Sequence, residues 1–266
     1  MSAMTMNVHG FAKCKRDARK ISMVTCYDFW SAQIINATDV DCILVGDSLA
    51  MVMHGFDSTV HATIDMMAMH VAAVRRGAPD KFIVGDMPFL SCSKGLEVAM
   101  DGVQQLMQAG ANSVKVEGES HQIPIIRHIV EAGVPVMGHI GLTPQSIHGL
   151  GGHKVQGRGD KAERLTKAAV ELADAGCFGI VLECVPAELA ACISQRIAVP
   201  TIGIGAGPAA DGQVLVLQDL LGANPDFKPK FLRTYADSHS VVGEAVNRFH
   251  AEVVAHEFPS AAESYR

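Results

Sequence analysis

Residues 160–185 read DKAERLTKAAVELADAGCFGIVLECV, and the change of rhythm inside them decides the fold. From Asp160 onward the apolar positions Leu165, Ala168, Ala169 and Leu172 recur three and four apart, which lays one stripe along an α-helix. Asp160 and Glu163 stand at capping-box spacing at its start, and Gly176 is the expected stop. Beyond Gly176 the period vanishes. Gly179–Val185 is a short, almost unbroken apolar run, the pattern of a strand covered on both faces of a parallel sheet.

The same alternation extends in both directions. Val- and Ile-rich runs recur at Ile21–Tyr27, Cys42–Gly46, Phe82–Asp86, Ser113–Glu117, Val134–Ile140, Pro200–Gly205 and Gln213–Gln218, so eight candidate strands result. Helical stripes lie between several of them. Ile64, Met67, Ala68, Val71 and Val74 share one face after Thr63; Leu96, Ala99, Val103 and Leu106 form another that ends at Gly110; a shorter helix runs from Gln122 to Gly133. No Pro/Ser linker, compositional shift or fixed-period repeat interrupts the series. The expectation is a single α/β domain over residues 1–266, with extensions at about 1–20 and about 224–266. Eight strands in about 200 residues suit a closed (β/α)₈ TIM barrel, with an open doubly wound sheet as the alternative. After Pro225 and Pro229, a closing helix carries Val242, Ala245, Val246 and Phe249.

Composition sets limits on partners. With 266 residues, 48% of them hydrophobic, the chain can bury one large core. A net charge of −6, with both signs scattered, offers no basic stripe to nucleic acid or to an anionic membrane. Seven cysteines form an odd set without a CxxC pair and read as free thiols in a reducing compartment. Met1–Arg19 has no apolar h-region and no run of roughly 18 apolar residues follows, so a cytoplasmic location is expected.

Charged residues fall at strand ends, where apolar or turn residues would suffice for folding. In a parallel barrel those ends form one rim over the core. Asp47, Asp86 and Glu117 would then share a small volume, which calls for a cation; an all-oxygen set suits a hard divalent ion such as Mg²⁺. Taken singly, each carboxylate could instead cap the following helix or pair with a base. Lys115, two residues before Glu117, faces the same way, and two roles are open to it: anchoring a substrate carboxylate or oxyanion, or forming a Schiff base. Glu183 ends an apolar strand, where a raised pKa would suit a general base acting on carbon, unless an Arg or Lys pairs with it. His139, His148 and His153 surround the glycine-rich stretch Gly138–Gly159, which reads as a long mobile loop over the rim; their spacing fits no zinc motif, and His139 is the one placed to touch substrate. Gly203–Pro208 fits neither GxGxxG nor a P-loop and is read as a tight βα turn open to a ligand.

At these residues the chain resembles the ketopantoate hydroxymethyltransferase family. The resemblance runs from about Ile21 to about Tyr235 and rests on VTCYD at Val24–Asp28, GDSL at Gly46–Leu49, KVEG at Lys115–Gly118 and GHIGLTPQS from Gly138, then GIGAG from Gly203 and DGQVLV from Asp211. It implies a phosphoenolpyruvate/pyruvate-like TIM barrel with extra terminal helices, in which Asp47, Asp86 and Glu117 hold one Mg²⁺ per subunit. It further implies 2-oxo acid contacts from Asp47, Ser48, Asp86 and Lys115, and Glu183 as proton acceptor. The implied reaction carries a one-carbon unit from 5,10-methylenetetrahydrofolate to 3-methyl-2-oxobutanoate, giving 2-dehydropantoate for pantothenate synthesis in a cytoplasmic homodecamer. Within barrel enzymes, a folate-free lyase or aldolase of the phosphoenolpyruvate/isocitrate-lyase type is the rival reading, and a non-catalytic small-acid binder is the rival outside them. The chain departs from the family pattern at Cys26, Ala50 and His153, where Ala, Gly and an aromatic residue are usual, and over Val60–Arg76.

Overall fold

A computed structural model of the chain describes residues 6–265. Eight strands, β1 (Ile21–Thr25), β2 (Cys42–Val45), β3 (Phe82–Asp86), β4 (Ser113–Glu117), β5 (Val136–Gly141), β6 (Gly179–Glu183), β7 (Thr201–Ile204) and β8 (Gly212–Leu215), close in sequence order into a barrel. Every pairing is parallel, and β8 returns to β1 with Ile21 opposite Gly212. The open doubly wound alternative is thereby excluded. Residues of β2, β3, β4 and β5 are buried throughout, which is why those runs are apolar without alternation.

The helices in chain order are α1 (Val8–Arg16), α2 (Phe29–Asn36), α3 (Leu49–Val52), α4 (Ile64–Gly77), α5 (Leu96–Ala109), α6 (Ile123–Glu131), α7 (Ile147–Leu150), α8 (Lys161–Asp174), α9 (Ala187–Arg196), α10 (Leu217–Leu220) and α11 (Ser238–Val254). In α4 the stripe expected from sequence buries Met67, Val71 and Val74; in α8 it buries Leu165, Ala168, Ala169 and Leu172.

The capping box expected at Asp160 does not form. Asp160 already has helical backbone angles (φ −60°, ψ −20°), and its side chain accepts no capping hydrogen bond. A capping side chain needs an extended backbone beneath it, as at Asn7, Asp28 and Thr63, each of which caps its helix. The glycine-rich stretch is also more ordered than a loop. Gly138–Gly141 completes β5, Pro144–Ser146 forms a 3₁₀ turn, and α7 follows. Strand β8 starts at Gly212 and stops at Leu215, short of the expected Gln218, where α10 takes over.

Phe11 of α1 is fully buried and meets Phe178 edge-on at 5.1 Å and Phe82 at 5.4 Å between ring centroids. Phe11 and Cys14 pack with Ile21, Cys42 and Phe82, the first residues of β1, β2 and β3, so α1 closes the N-terminal end of the barrel. The chain divides into two compact units, one ending at Leu215 and the other starting at Val216. In the second unit α11 buries none of its residues, and Val242, Val246 and Phe249 are exposed.

Candidate active site

Strand register gathers the charged residues at the C-terminal ends. Asp86 ends β3 and pairs in register with Lys115 of β4; Glu117 ends β4 opposite His139 of β5; Glu183 ends β6 opposite Gly141. Lys115 and Glu117, two apart on one strand, face the barrel interior together. Asp47 lies just past β2, and Ser48 is the N-cap residue of α3. Gly141 has φ +100°, and a Cβ there would come within 2.3 Å of the Glu183 carbonyl oxygen, so only glycine lets β5 leave the barrel this close to Glu183.

Asp47, Asp86, Lys115, Glu117 and His139 are all buried, while Glu183 is partly exposed. Lys115 Nζ sits 2.7 Å from Asp86 Oδ1 and 3.8 Å from Glu117 Oε1. His139 bridges two acids, with Nδ1 3.2 Å from Glu117 Oε1 and Nε2 3.2 Å from Glu183 Oε2. Its Nδ1 also lies 3.1 Å from Lys115 Nζ. One nitrogen cannot donate to Glu117 and accept from Lys115 at once. Burial and the Lys115 charge push the imidazole towards neutrality, but Glu117 and Glu183 outweigh them and hold His139 up to about 9. The imidazolium therefore stands as an ion pair between Glu117 and Glu183, and Asp86 is the partner of Lys115.

Glu183 was expected on an apolar rim or beside an Arg or Lys. Its neighbour is His139 instead, so an imidazole orients its carboxylate. The expectation of three carboxylates without a fixed cation also needs correction: Lys115 already sits among them. Burial, then the charges of Asp86 and Glu117, push Asp47 well above the usual carboxylate range. Burial raises Asp86 too, although Lys115 opposes it. Burial would likewise raise Glu117, but His139 and Lys115 leave it below its ordinary value. Asp86 is thus matched by Lys115, and Asp47 is the carboxylate left least compensated.

Among the described residues no three His, Cys, Asp or Glu side chains form a ready-made metal cage. The donor chemistry nevertheless fits a hard divalent ion. The acceptors are all oxygen, Asp86 Oδ1 and Glu117 Oε1 are buried without a well-directed hydrogen bond, and Asp47 is destabilised as an anion. An ion of the Mg²⁺ type needs only one or two protein carboxylates, the rest of its octahedron being water or substrate.

Two residues to which the sequence assigns no role complete the site. Gln145 donates its side-chain amide to Asp47 Oδ2 and to the Met87 carbonyl, both at 2.9 Å, and its backbone N–H to Glu117 Oε2 at 3.1 Å. Tyr27 OH lies 2.7 Å from Ser48 Oγ and fixes that hydroxyl. His148 and His153 lie apart from the charged cluster, in the wall of a neighbouring cavity. At the Gly203–Pro208 turn, a Cβ on Gly207 would come within 2.5 Å of the Ala187 Cβ, so that glycine serves the close approach of α9.

Among the described residues no helix is long and apolar enough to cross a membrane. The model of the family described as ketopantoate hydroxymethyltransferase matches residues 5–261. A protein of Coxiella burnetii named 3-methyl-2-oxobutanoate hydroxymethyltransferase is 55% identical over 258 residues, covering 96% of this chain and 97% of that relative. One of the same name from Bdellovibrio bacteriovorus is 54% identical, covering 94% and 96% respectively. Among solved structures, phosphonopyruvate hydrolase in complex with oxalate and Mg²⁺ aligns with a TM-score of 0.62 at 10% identity, over 96% of this chain and 92% of that one. 2,3-Dimethylmalate lyase, of the PEP mutase/isocitrate lyase superfamily, aligns with a TM-score of 0.59 at 14% identity, over 97% and 91%. These two share the barrel fold, whereas the sequence relatives share more than half of the aligned residues, and together with the family match over residues 5–261 this shows that the chain belongs to the ketopantoate hydroxymethyltransferase family.

Proposed function

We propose that the chain transfers a one-carbon unit from 5,10-methylenetetrahydrofolate to 3-methyl-2-oxobutanoate, with uptake of water, giving 2-dehydropantoate and tetrahydrofolate. The names of relatives above half identity support the activity. The observation that carries the mechanism is the placement of a partly exposed carboxylate, Glu183, across His139 from a buried cluster of opposite charges.

Asp47 and Asp86, with Glu117 behind them, would hold Mg²⁺. Bound there, the ion supplies Lewis-acid stabilisation of negative charge on the substrate's keto oxygen, worth several kcal/mol. Ser48, steadied by Tyr27, and Lys115 bind and orient the carboxylate end of the 2-oxo acid. With Asp86 already holding its ammonium, Lys115 acts by charge rather than as an imine. Glu183 takes the proton from C3, and His139, 3.2 Å away, aims that carboxylate. The electron pair left at C3 forms the new C–C bond to the one-carbon unit, water provides the product hydroxyl, and both C–N bonds that tie that carbon to the folate break, the two folate nitrogens taking up the C3 proton and one from water.

In deuterated buffer with Mg²⁺ and no folate, the C3 hydrogen of 3-methyl-2-oxobutanoate is expected to exchange faster than in buffer alone. Exhaustive chelation should abolish this and Mg²⁺ should restore it. Exchange that survives chelation, together with borohydride trapping at Lys115, would replace the metal by an imine. The same reading implies a cytoplasmic homodecamer, and the exposed Val242, Val246 and Phe249 of α11 supply apolar area for subunit contact. Light scattering that gave a stable monomer at micromolar concentration would overturn the assembly.

A further inference from the structure

A space of about 630 Å³ is lined by residues that flank the charged cluster in sequence, none of them among those given a 2-oxo acid contact above. Its walls come from residues 51–61, which follow β2, and residues 144–153, which follow β5. Both segments adjoin the site. Asp47 and Ser48 lie just before the first, and Gln145, whose amide donates to Asp47, lies in the second next to the lining residue Pro144. The cavity and the carboxylate cluster therefore share a wall. Two of the sequence departures meet here, since His153 and the start of the Val60–Arg76 segment, Val60 and His61, all line the space.

The wall has two kinds of surface. Met51, Val60, Pro144 and Ile147 are apolar, while His61, His148 and His153 present imidazoles. Asp57, 3.3 Å from His61, adds a carboxylate at the rim. A space of this size suits a ligand of some tens of heavy atoms and is far too large for a small 2-oxo acid. A second space, of about 520 Å³, lies beyond the ends of β4 and β5. Its Arg164 is already held by both oxygens of Glu119, at 2.6 and 3.0 Å, and none of its lining residues adjoins Asp47.

We propose that the cavity between residues 51–61 and 144–153 binds the one-carbon donor, a reduced folate, beside the 2-oxo acid. This rests on the activity proposed above. The apolar wall stacks against the flat ring system, the Asp57 carboxylate accepts from its amino N–H groups, and the three histidines face the anionic tail. Gln145 then stands at the partition across which the one-carbon unit passes.

The test compares Michaelis constants for the two substrates in the intact Mg²⁺-loaded protein. Ile147→Trp fills the cavity and should raise KM for 5,10-methylenetetrahydrofolate at least about tenfold, with KM for the 2-oxo acid shifted less than about twofold. His153→Ala, a milder change, should raise the folate KM about threefold and weaken tetrahydrofolate binding measured by calorimetry without turnover. Thermal melts show whether each variant is folded. An unchanged folate KM in both variants, or equal rises in both constants, would overturn the cavity assignment. A wild-type protein that exchanges the C3 hydrogen yet transfers no one-carbon unit would instead overturn the proposed activity.

Discussion

The two ends of the barrel are made by the same strands and could hardly differ more. At the N-terminal end β3 contributes Phe82, which packs with Phe11 of α1 and with Phe178; four residues later it contributes Asp86, ion-paired to Lys115. Both side chains face the interior, so orientation is not what separates them. The difference lies in what each layer must satisfy. The floor gains from apolar area alone and tolerates any shape that fills it. The mouth buries five ionisable groups that are stable only with their partners in place, and such groups concentrate where chemistry is done.

Substitutions at the two ends should therefore fail in different ways. The largest effect is expected at the mouth. Glu183→Gln keeps the shape of the site but cannot accept a proton, so folate-free exchange of the C3 hydrogen should fall by roughly 10² or more while calorimetry still detects the 2-oxo acid. Near-normal exchange would make Glu183 structural and His139 the next base to test. At the floor, Phe11→Ala should lower the unfolding free energy by about 3–5 kcal/mol and leave exchange per folded molecule as in the wild type. A loss of exchange with little loss of stability would erase the distinction between the two ends.

The smallest effect is expected in the pH dependence of stability. Glu117 and Glu183 hold His139 up to about 9 in the folded chain, above the ordinary 6.5. A group raised in this way contributes fully below pH 6.5, and its contribution is lost as pH rises through about 9. Denaturant titrations should show wild-type stability falling by about 1–3 kcal/mol across that window, and His139→Asn should flatten the fall. Identical slopes in both proteins would mean that His139 is neutral when folded.

The floor was easier to read from sequence than the mouth. Eight apolar runs marked eight strands because burial on both faces leaves an unmistakable composition. The same logic found the ionisable residues, since charge at the end of an apolar run stands out. It could not find Gln145, which carries no charge and acts partly through its backbone N–H, or the four-residue helix α7, too short for any period to show. The plug made by Phe11 was missed because nothing in residues 1–20 reveals that a ring from this segment meets Phe82 and Phe178 far along the chain. The role of Lys115 as resident counter-charge also depended on distance rather than spacing.

The contacts at the mouth form one connected series: Asp86 to Lys115, Lys115 to Glu117, Glu117 to His139 and His139 to Glu183. Residues joined in this way do not vary independently, because replacing one alters the charge its neighbours must absorb. Two single replacements in the series will not sum to the double, and a viable change of charge at one member requires a matching change at another. Heritable variation is thus steered elsewhere. Cys26, whose thiol lies 3.3 Å from the Ser31 hydroxyl, and His153, in the cavity wall, stand outside the series and carry none of its charge.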